Sequence, residues 1–493
     1  MTWRERIPGW LWLLAAILLA RLLLMAMLPL ADTSEPRYAE IARLMAETGD
    51  WITPWFEPGV PFWGKPPFAF WISALSFRLL GYSDFAARLP AWLATLATLW
   101  LLYRLALGWF GARAARLAVL IHASSLLPFL AAGAVLTDAY LTLAVTLSLV
   151  AFAKLPDDPH PLWKFGFFGG LALGLLAKGP LAPVLVLAVS IPWTLWHRLA
   201  SGYARRLPWC GGILFLFTLT LPWYALAEWK TPGFLDYFLV GEHFHRFIDA
   251  GWQGDRYGSA HQRIYGGIWL DWLLASFPWG LVALWQLLRW KVAGGRVRTS
   301  WRRSADPRTT FLILWAVVTP LFFTLSGNIL WTYVQPSLPA LAILLAARLA
   351  ARTDLPANKR HWSALVALVP VIGLMLGGAV AADPGLVKTE KALIEYYAAH
   401  AQSGQPLYYL GSRPFSARYY SHGQAGLQSA GTLSELLDQY PAGAYLAVEH
   451  AQLQSLDGLT RSPVLFKSRR YSLVFGKGPR HGQWSSTRLD AQP

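Results

Sequence analysis

Two carboxylates and an arginine crowd into the stretch Asp32-Thr33-Ser34-Glu35-Pro36-Arg37-Tyr38-Ala39-Glu40, which begins where an apolar run ends. A hydroxyl or amine attacking a sugar must lose a proton, and a carboxylate at an interface can take it. Asp32 and Glu35 are the candidate catalytic residues on that ground. A plainer reading stands beside it: Asp32, Ser34 or Glu35 caps and charges the N-terminus of a helix whose first turn holds Pro36. One carboxylate can serve both purposes, so both stay open.

Cations recur at rigid turns. Phe62-Trp63-Gly64-Lys65-Pro66-Pro67-Phe68 sets one lysine among aromatics and prolines, suited to gripping a phosphate at a lipid interface or simply to snorkelling there. Thr137-Asp138, Lys178-Gly179-Pro180, Gly241-Glu242-His243-Phe244-His245-Arg246-Phe247 and Ser326-Gly327-Asn328 bring further polar groups to the ends of apolar segments. A phosphate anchored at a bilayer needs two or more cations. Lys65, Lys178 and Arg246 can supply them, Arg246 through a bidentate contact. Glu242, His243 and His245 raise the question of a metal, but histidines two apart diverge on a helix, so no metal ligand is assigned and divalent-metal dependence stays open.

These residues need elements to hold them, and composition says which kind. The chain has 493 residues, 55% of them hydrophobic and only 14% charged, whereas soluble domains carry about 25% charged residues. Apolar blocks such as Trp10 to Leu30 and Leu207 to Ala227 are each long enough to cross a hydrocarbon core about 30 Å thick. The net charge of +16 does not point to nucleic acid, because the basic residues punctuate the apolar blocks and form no single stripe. The lone Cys210 excludes an intrachain disulfide. Arg21 and the length of the first apolar run favour a retained membrane helix over a cleaved signal peptide.

With Arg4 and Arg6 in the cytoplasm, alternation gives an α-helical polytopic membrane protein of about eleven spans. Arg113 and Arg116, Lys154 and Lys164, Arg198 with Arg205 and Arg206, Arg289 to Arg308, and Arg348 to Arg360 then all fall inside, as the positive-inside rule expects. Every polar motif named above falls outside. The division is a transmembrane domain, 1–381, with long outer loops at 32–82 and 229–265, and a small outer α/β domain, 382–493. In the first loop Tyr38, Ile41, Ala42 and Met45 share a face, predicting an amphipathic helix along the membrane surface. In the small domain Leu407 to Leu410, Ala444 to Val448 and Tyr471 to Phe475 read as strands, and Thr432 to Tyr440 as a helix with Thr432 as N-cap and Glu435 completing a capping box.

The pattern Glu-x-Arg-Tyr-Ala-Glu-Ile-Ala-Arg, then Gly-Asp-Trp-Ile at 49–52, Gly-Lys-Pro-Pro, Phe-Ala-Ala-Arg-Leu-Pro at 85–90, Ala-Lys-Gly-Pro and Glu-His-x-x-Arg-Phe resembles the bacterial aminoarabinose transferases. These belong with the protein O-mannosyltransferases in the class C glycosyltransferases (GT-C fold), and the resemblance covers roughly residues 10 to 350. It implies a polyprenyl-phosphate donor carrying 4-amino-4-deoxy-L-arabinose or a hexose. It also implies a periplasmic active site in the bacterial inner membrane, with lipid A or another glycan as acceptor and no nucleotide cofactor. Arg37 and Tyr38 match the family's Arg-Tyr, Lys65 its Lys-Pro lysine, and Asp138, Lys178, Glu242, His243, Arg246 and Tyr333 later motif positions. Arg37, Lys65, Lys178 and Arg246 are thereby expected at the donor phosphate. Two departures stand out: Ser34 fills a usually acidic position, with Asp32 two residues earlier, and Gly327-Asn328 stands where many members have a lysine. A protein mannosyltransferase-like enzyme and a lipid-linked sugar transporter are the rival readings, the latter favouring polar sites near the bilayer midplane.

Overall fold

The computed structural model describes residues 9–249, 251–258, 261–292, 306–351, 359–453 and 463–477. Much of the basic stretches 289–308 and 348–360 therefore lies outside the described residues. The chain forms two compact units, one of Met1–Ala26 with Ala42–Met375 and one of Met27–Ile41 with Leu376–Pro493. The second takes in residues 27–41, which the sequence division assigns to the membrane part.

The first unit is helical. Among its described residues and their continuation, Gly9–Met27, Asp84–Ala123, Trp209–Lys230, Trp331–Ala350 and His361–Ala382 are long and apolar enough to cross a bilayer. Ile268–Ala275 and Trp279–Arg289 together reach that length but meet at a 107° bend, as a broken span or a re-entrant loop does. Phe68–Leu80, Leu181–Trp196 and Pro307–Phe323 are shorter apolar helices. The Asp84–Ala123 helix is two helices meeting at Gly111, whose φ is 82°; that break, just before Arg113 and Arg116, is where the sequence predicts a turn between spans. Arg21, which interrupts the first apolar run, is buried and donates to the carbonyls of Leu130, at 2.8 Å, and Ala132. Carbonyls at the end of a short helix are a natural partner for a cation drawn out of water.

Two helices that matter for the site, Asp138–Lys154 and Pro161–Lys178, pack along one another. Their approach depends on small residues: a Cβ at Gly170 would lie 2.7 Å from the Ala144 carbonyl oxygen and 2.3 Å from Ser148 Oγ. Ser148 Oγ in turn donates to the Phe167 carbonyl at 3.0 Å. A two-stranded antiparallel hairpin, β1 (Trp55–Glu57) and β2 (Val60–Pro61), stands before Lys65.

The second unit carries a five-stranded sheet of β3 (Leu407–Leu410), β4 (Gly426–Gln428), β5 (Ala444–Glu449), β6 (Val464–Lys467) and β7 (Tyr471–Gly476), in the order β4-β3-β5-β7-β6. β3 is parallel to β4 and β5; β7 is antiparallel to β5 and β6. The three strands expected from sequence are present. β4, Gly-Leu-Gln, offers no apolar run to read, whereas β6 holds the run Val464-Leu465-Phe466, which the sequence reading passed over. Leu433–Gln439 is helical, but Thr432 makes no side-chain cap: its hydroxyl accepts from Gln428 at 2.6 Å and donates to the Ser429 carbonyl.

The helix Ser34–Thr48 forms where the first loop predicts one, but not with one wet face. Every residue from Tyr38 to Ala46 is buried. Its charges are satisfied by pairing instead, Glu40 with Arg418 at 3.6 Å and Arg43 with Glu47 at 2.6 Å.

Candidate functional site

Lys65, Lys178, Glu242, His243, Arg246 and Tyr333, six of the residues singled out in the sequence, line one cavity of about 160 Å³ in the first unit. Each arrives by a different local device. Lys178 is the last residue of its helix, ended by Gly179 at φ 74°, where a Cβ would also strike the Phe238 ring at 2.6 Å. Asp138 is the first residue of the neighbouring helix, and its Oδ1 accepts from Lys178 Nζ at 2.7 Å. A carboxylate at a helix N-terminus and an ammonium at a C-terminus each sit at the favourable pole of the helix dipole. Tyr333, in the short 3₁₀ helix Trp331–Ser337, lays its ring 4.6 Å from Lys178 Nζ.

The π-helix Asp236–His245 carries Glu242 and His243, Arg246 opens the turn that follows it, and Lys65 comes from the loop before the Phe68–Leu80 helix. Glu242 accepts from Lys65 Nζ at 3.1 Å and from Arg246 Nη1 at 3.0 and 3.1 Å, while Tyr237 reaches it at 3.4 Å. Burial pushes the Glu242 carboxyl up, but the Lys65 and Arg246 charges outweigh it and hold the group below the usual glutamate range. His243 is fixed between two carbonyls, Nδ1 at 2.7 Å from Phe238 and Nε2 at 3.1 Å from Lys178, and burial lowers its pKa. Among the described residues no three His, Cys, Asp or Glu side chains converge as a metal cluster.

Three cations and one carboxylate thus face the cavity, and Leu181, Val184, Phe247, Phe322 and Phe323 supply an apolar wall. That combination suits an anionic head on a hydrocarbon tail. Asn328 also lines it, its Oδ1 accepting from the His261 amide at 3.0 Å.

Sequence reading missed the support around these groups. Asp255 is a second partner of Arg246 at 3.3 Å. Arg256 stacks 4.6 Å from the Trp63 ring, and the Tyr257 hydroxyl donates to the Pro61 carbonyl and accepts from the Trp63 amide, bracing the loop before Lys65. The signal was the charged and aromatic triplet Asp255-Arg256-Tyr257 inside an overlong loop. The Gly-Asp-Trp-Ile motif proves to be scaffolding: Asp50 accepts from the amides of Ile52 and Thr53, the Trp55 indole and Lys230.

Asp32, Glu35, Arg37 and Tyr38 belong to the second unit. Asp32 caps a helix, though not its own. Its carboxylate accepts from the Ser416 amide at 2.9 Å and from the Ser416 hydroxyl, at the start of Phe415–Tyr420. Its own amide donates to the Lys388 carbonyl at 2.8 Å. Burial raises the Asp32 pKa against the lowering effect of those hydrogen bonds. The Arg37 guanidinium lies 5.3 Å from the Tyr38 ring and 5.5 Å from that of Phe415.

Residues 64–225 match a family described as dolichyl-phosphate-mannose-protein mannosyltransferase. An undecaprenyl phosphate-alpha-4-amino-4-deoxy-L-arabinose arabinosyl transferase of Aeromonas hydrophila is 31% identical over 65% of this chain and 56% of its own length. One from Pseudomonas fluorescens is 30% identical over 69% and 57%. The matched region thus spans a little over half the length of these relatives. The crystal structure of ArnT from Cupriavidus metallidurans bound to undecaprenyl phosphate superposes with a TM-score of 0.75 at 20% identity, covering 96% of this chain and 99% of that one. Its apo form gives 0.71 at 21% identity, over 95% and 98%.

Proposed function

We infer that this chain, a multi-pass membrane protein belonging to the class C glycosyltransferases alongside the aminoarabinose transferases, moves a sugar from a polyprenyl-phosphate carrier to an acceptor lipid or glycan. The observation that carries this reading is the cavity of Lys65, Lys178 and Arg246 around Glu242, with its apolar wall. A carrier phosphodiester has one negative charge and gains a second as it leaves. Fixed cations therefore stabilise the leaving group more than the bound donor, which is what accelerates a reaction. In the transfer, the acceptor oxygen or nitrogen bonds to the anomeric carbon, the carbon–oxygen bond to phosphate breaks with its electron pair going to phosphate, and the acceptor's proton passes to a carboxylate.

Asp32 and Glu35 remain the proposed bases. Glu242, saturated by cations, is a weakened proton acceptor, whereas burial makes Asp32 a stronger one. Glu242 instead aligns Lys65 and Arg246. The sugar is 4-amino-4-deoxy-L-arabinose or a hexose, and lipid A is the acceptor drawn from the family. We place the polar ends of the helices and the 382–493 domain in the periplasm, on the strength of the basic residues assigned inside.

The test is purified protein in proteoliposomes with labelled undecaprenyl-phosphate sugar and lipid A. Labelled lipid A and released undecaprenyl phosphate are expected. Movement of the intact donor across the bilayer without transfer would instead establish a transporter. Alkaline phosphatase fused after residue 477 is expected to be active, and activity only of a cytoplasmic reporter there would reverse the orientation.

A further inference from the structure

Asn328 meets the cation cavity with its orientation already fixed. Its segment pairs with the 229–265 loop: the Arg263 amide donates to the Gly327 carbonyl at 2.8 Å, the Ile329 amide donates to the His261 carbonyl at 3.3 Å, and Gln262 and Asn328 form an antiparallel bridge. The backbone of Asn328 is occupied as well, its N–H donating to Ser326 Oγ at 3.3 Å and its carbonyl accepting from the same hydroxyl at 3.4 Å. The His261 amide can only donate, so the side-chain atom it meets at 3.0 Å is Oδ1, and Nδ2 turns away from it. Among the described residues nothing accepts from Nδ2, yet it is not one of the fully enclosed polar atoms that lack a partner. The residue is only 5% exposed and lines the cavity. A molecule bound there is what its two N–H groups can meet.

The rest of the wall decides what that molecule can offer. Lys65, Lys178 and Arg246 serve a phosphate, and a neutral amide adds little beside them. It matches a neutral oxygen instead, and the sugar joined to the phosphate carries several. Anionic acceptors are already taken. Glu242, the sole carboxylate among the described wall residues, accepts from Lys65, Arg246 and Tyr237. Behind the wall Asp138 holds Lys178 at 2.7 Å and Asp255 holds Arg246 at 3.3 Å. Both ring nitrogens of His243 face carbonyls. A sugar hydroxyl can accept from Nδ2. An ammonium can only donate, and it would stand among three like charges.

We propose that Asn328 is a specificity-determining residue, its Nδ2 donating to a hydroxyl oxygen of the transferred sugar, so that the cavity takes a neutral hexose in preference to a sugar with a free amino group. This rests on the sugar-transfer reading and chooses between the two sugars that reading leaves open. A site built to hydrogen-bond a hydroxyl discriminates because its buried donor is left unpaired by the wrong group.

The test is equilibrium binding of three ligands to the full chain in phosphatidylcholine nanodiscs: undecaprenyl phosphate, undecaprenyl-phosphate glucose and undecaprenyl-phosphate 4-amino-4-deoxy-L-arabinose. The glucose donor is expected to bind about tenfold tighter than the aminoarabinose donor, the yield of one hydrogen bond made in place of one lost. Asn328→Asp keeps the shape and the acceptor for His261 but sets a carboxylate oxygen where Nδ2 was, and the order of the two donors reverses. Both carry the same phosphate, so its repulsion by the new charge cancels in their ratio. Asn328→Ser, neutral and shorter, weakens the glucose donor by about tenfold and leaves undecaprenyl phosphate, which has no sugar, bound as in wild type; it decides the matter even where Asn328→Asp fails to fold. Equal or reversed preference in the wild type, or a glucose preference that survives either substitution, would overturn the proposal and leave the carrier phosphate in its place. Failure of the wild type to bind undecaprenyl phosphate at all would instead sink the sugar-transfer reading beneath it.

Discussion

Glu242 in the first unit and Glu390 in the second are both buried carboxylates beside lysine and arginine, yet their environments push them in opposite directions. Glu242 sits within 3.1 Å of both Lys65 Nζ and Arg246 Nη1, and the attraction of those charges exceeds the penalty of burial. Glu390 lines a cavity with four cations, but none reaches its Oε2, and burial wins. Residue type and company are alike. What differs is direct contact with the cations, which makes one carboxylate a fixed counter-ion and leaves the other able to hold a proton near neutrality.

The sharpest way to break the comparison is at the base. Asp32→Asn and Glu35→Gln keep size and hydrogen-bonding capacity while removing charge. At least one is expected to lower turnover by about 10² to 10⁴ at unchanged donor affinity and melting temperature. If the double variant folds, binds donor and turns over normally, neither is the base, and Asp138 and Glu242 become the residues to test.

Next comes the counter-ion. Glu242→Gln leaves Lys65 and Arg246 as neighbouring, partly buried cations without their shared anion, Arg246 keeping Asp255, so the loss is expected at about 1 to 3 kcal/mol, below the roughly 3 to 5 kcal/mol of a fully buried pair. A melting temperature equal to wild type would show that the three groups are not mutually dependent.

Glu390 gives the opposite signature. Folded, it keeps its proton to about pH 7, whereas an unfolded glutamate loses it near ~4.3. Between those values the folded form binds more protons, so its stability declines as pH rises through the window, and the raised pKa of Asp32 acts in the same sense. Melting of the full chain in detergent from pH 5 to pH 8 is expected to show that decline, and Glu390→Gln to flatten it. An identical profile in the variant would remove Glu390 from the account.

The smallest effect separates Asp32 as a cap from Asp32 as a base. Ser416→Ala removes one hydrogen bond to the carboxylate and the acceptor of the Glu390 amide but leaves the charge, costing about 1 kcal/mol of stability for each bond lost. Turnover within a factor of a few of wild type is expected. A loss as deep as that of Asp32→Asn would mean that positioning, and not proton transfer, is what Asp32 contributes.

Much of the cation cavity was legible in the chain itself. Lys65, Lys178, Glu242 and Arg246 stand out because charge is expensive in an apolar context and persists only at the ends of spans, so their grouping at one end followed from alternation of the spans. Gly179 after Lys178 marked a helix end for the same local reason that the structure uses it. Asp255 and Tyr257 were hidden because nothing in a loop's sequence fixes which distant residue it touches.

The sequence by itself therefore determined a helical membrane unit, a small α/β unit and the residue types a phosphate would meet, because hydropathy, turn chemistry and charge are local properties. Tertiary structure alone decided that Asp32 caps the Phe415–Tyr420 helix across 384 positions of chain, that every residue from Tyr38 to Ala46 is buried, and that burial outweighs hydrogen bonding at Glu390. Those outcomes depend on which surfaces meet after folding, and hydrogen bonding and desolvation change sign over distances that no spacing of residues in a chain encodes.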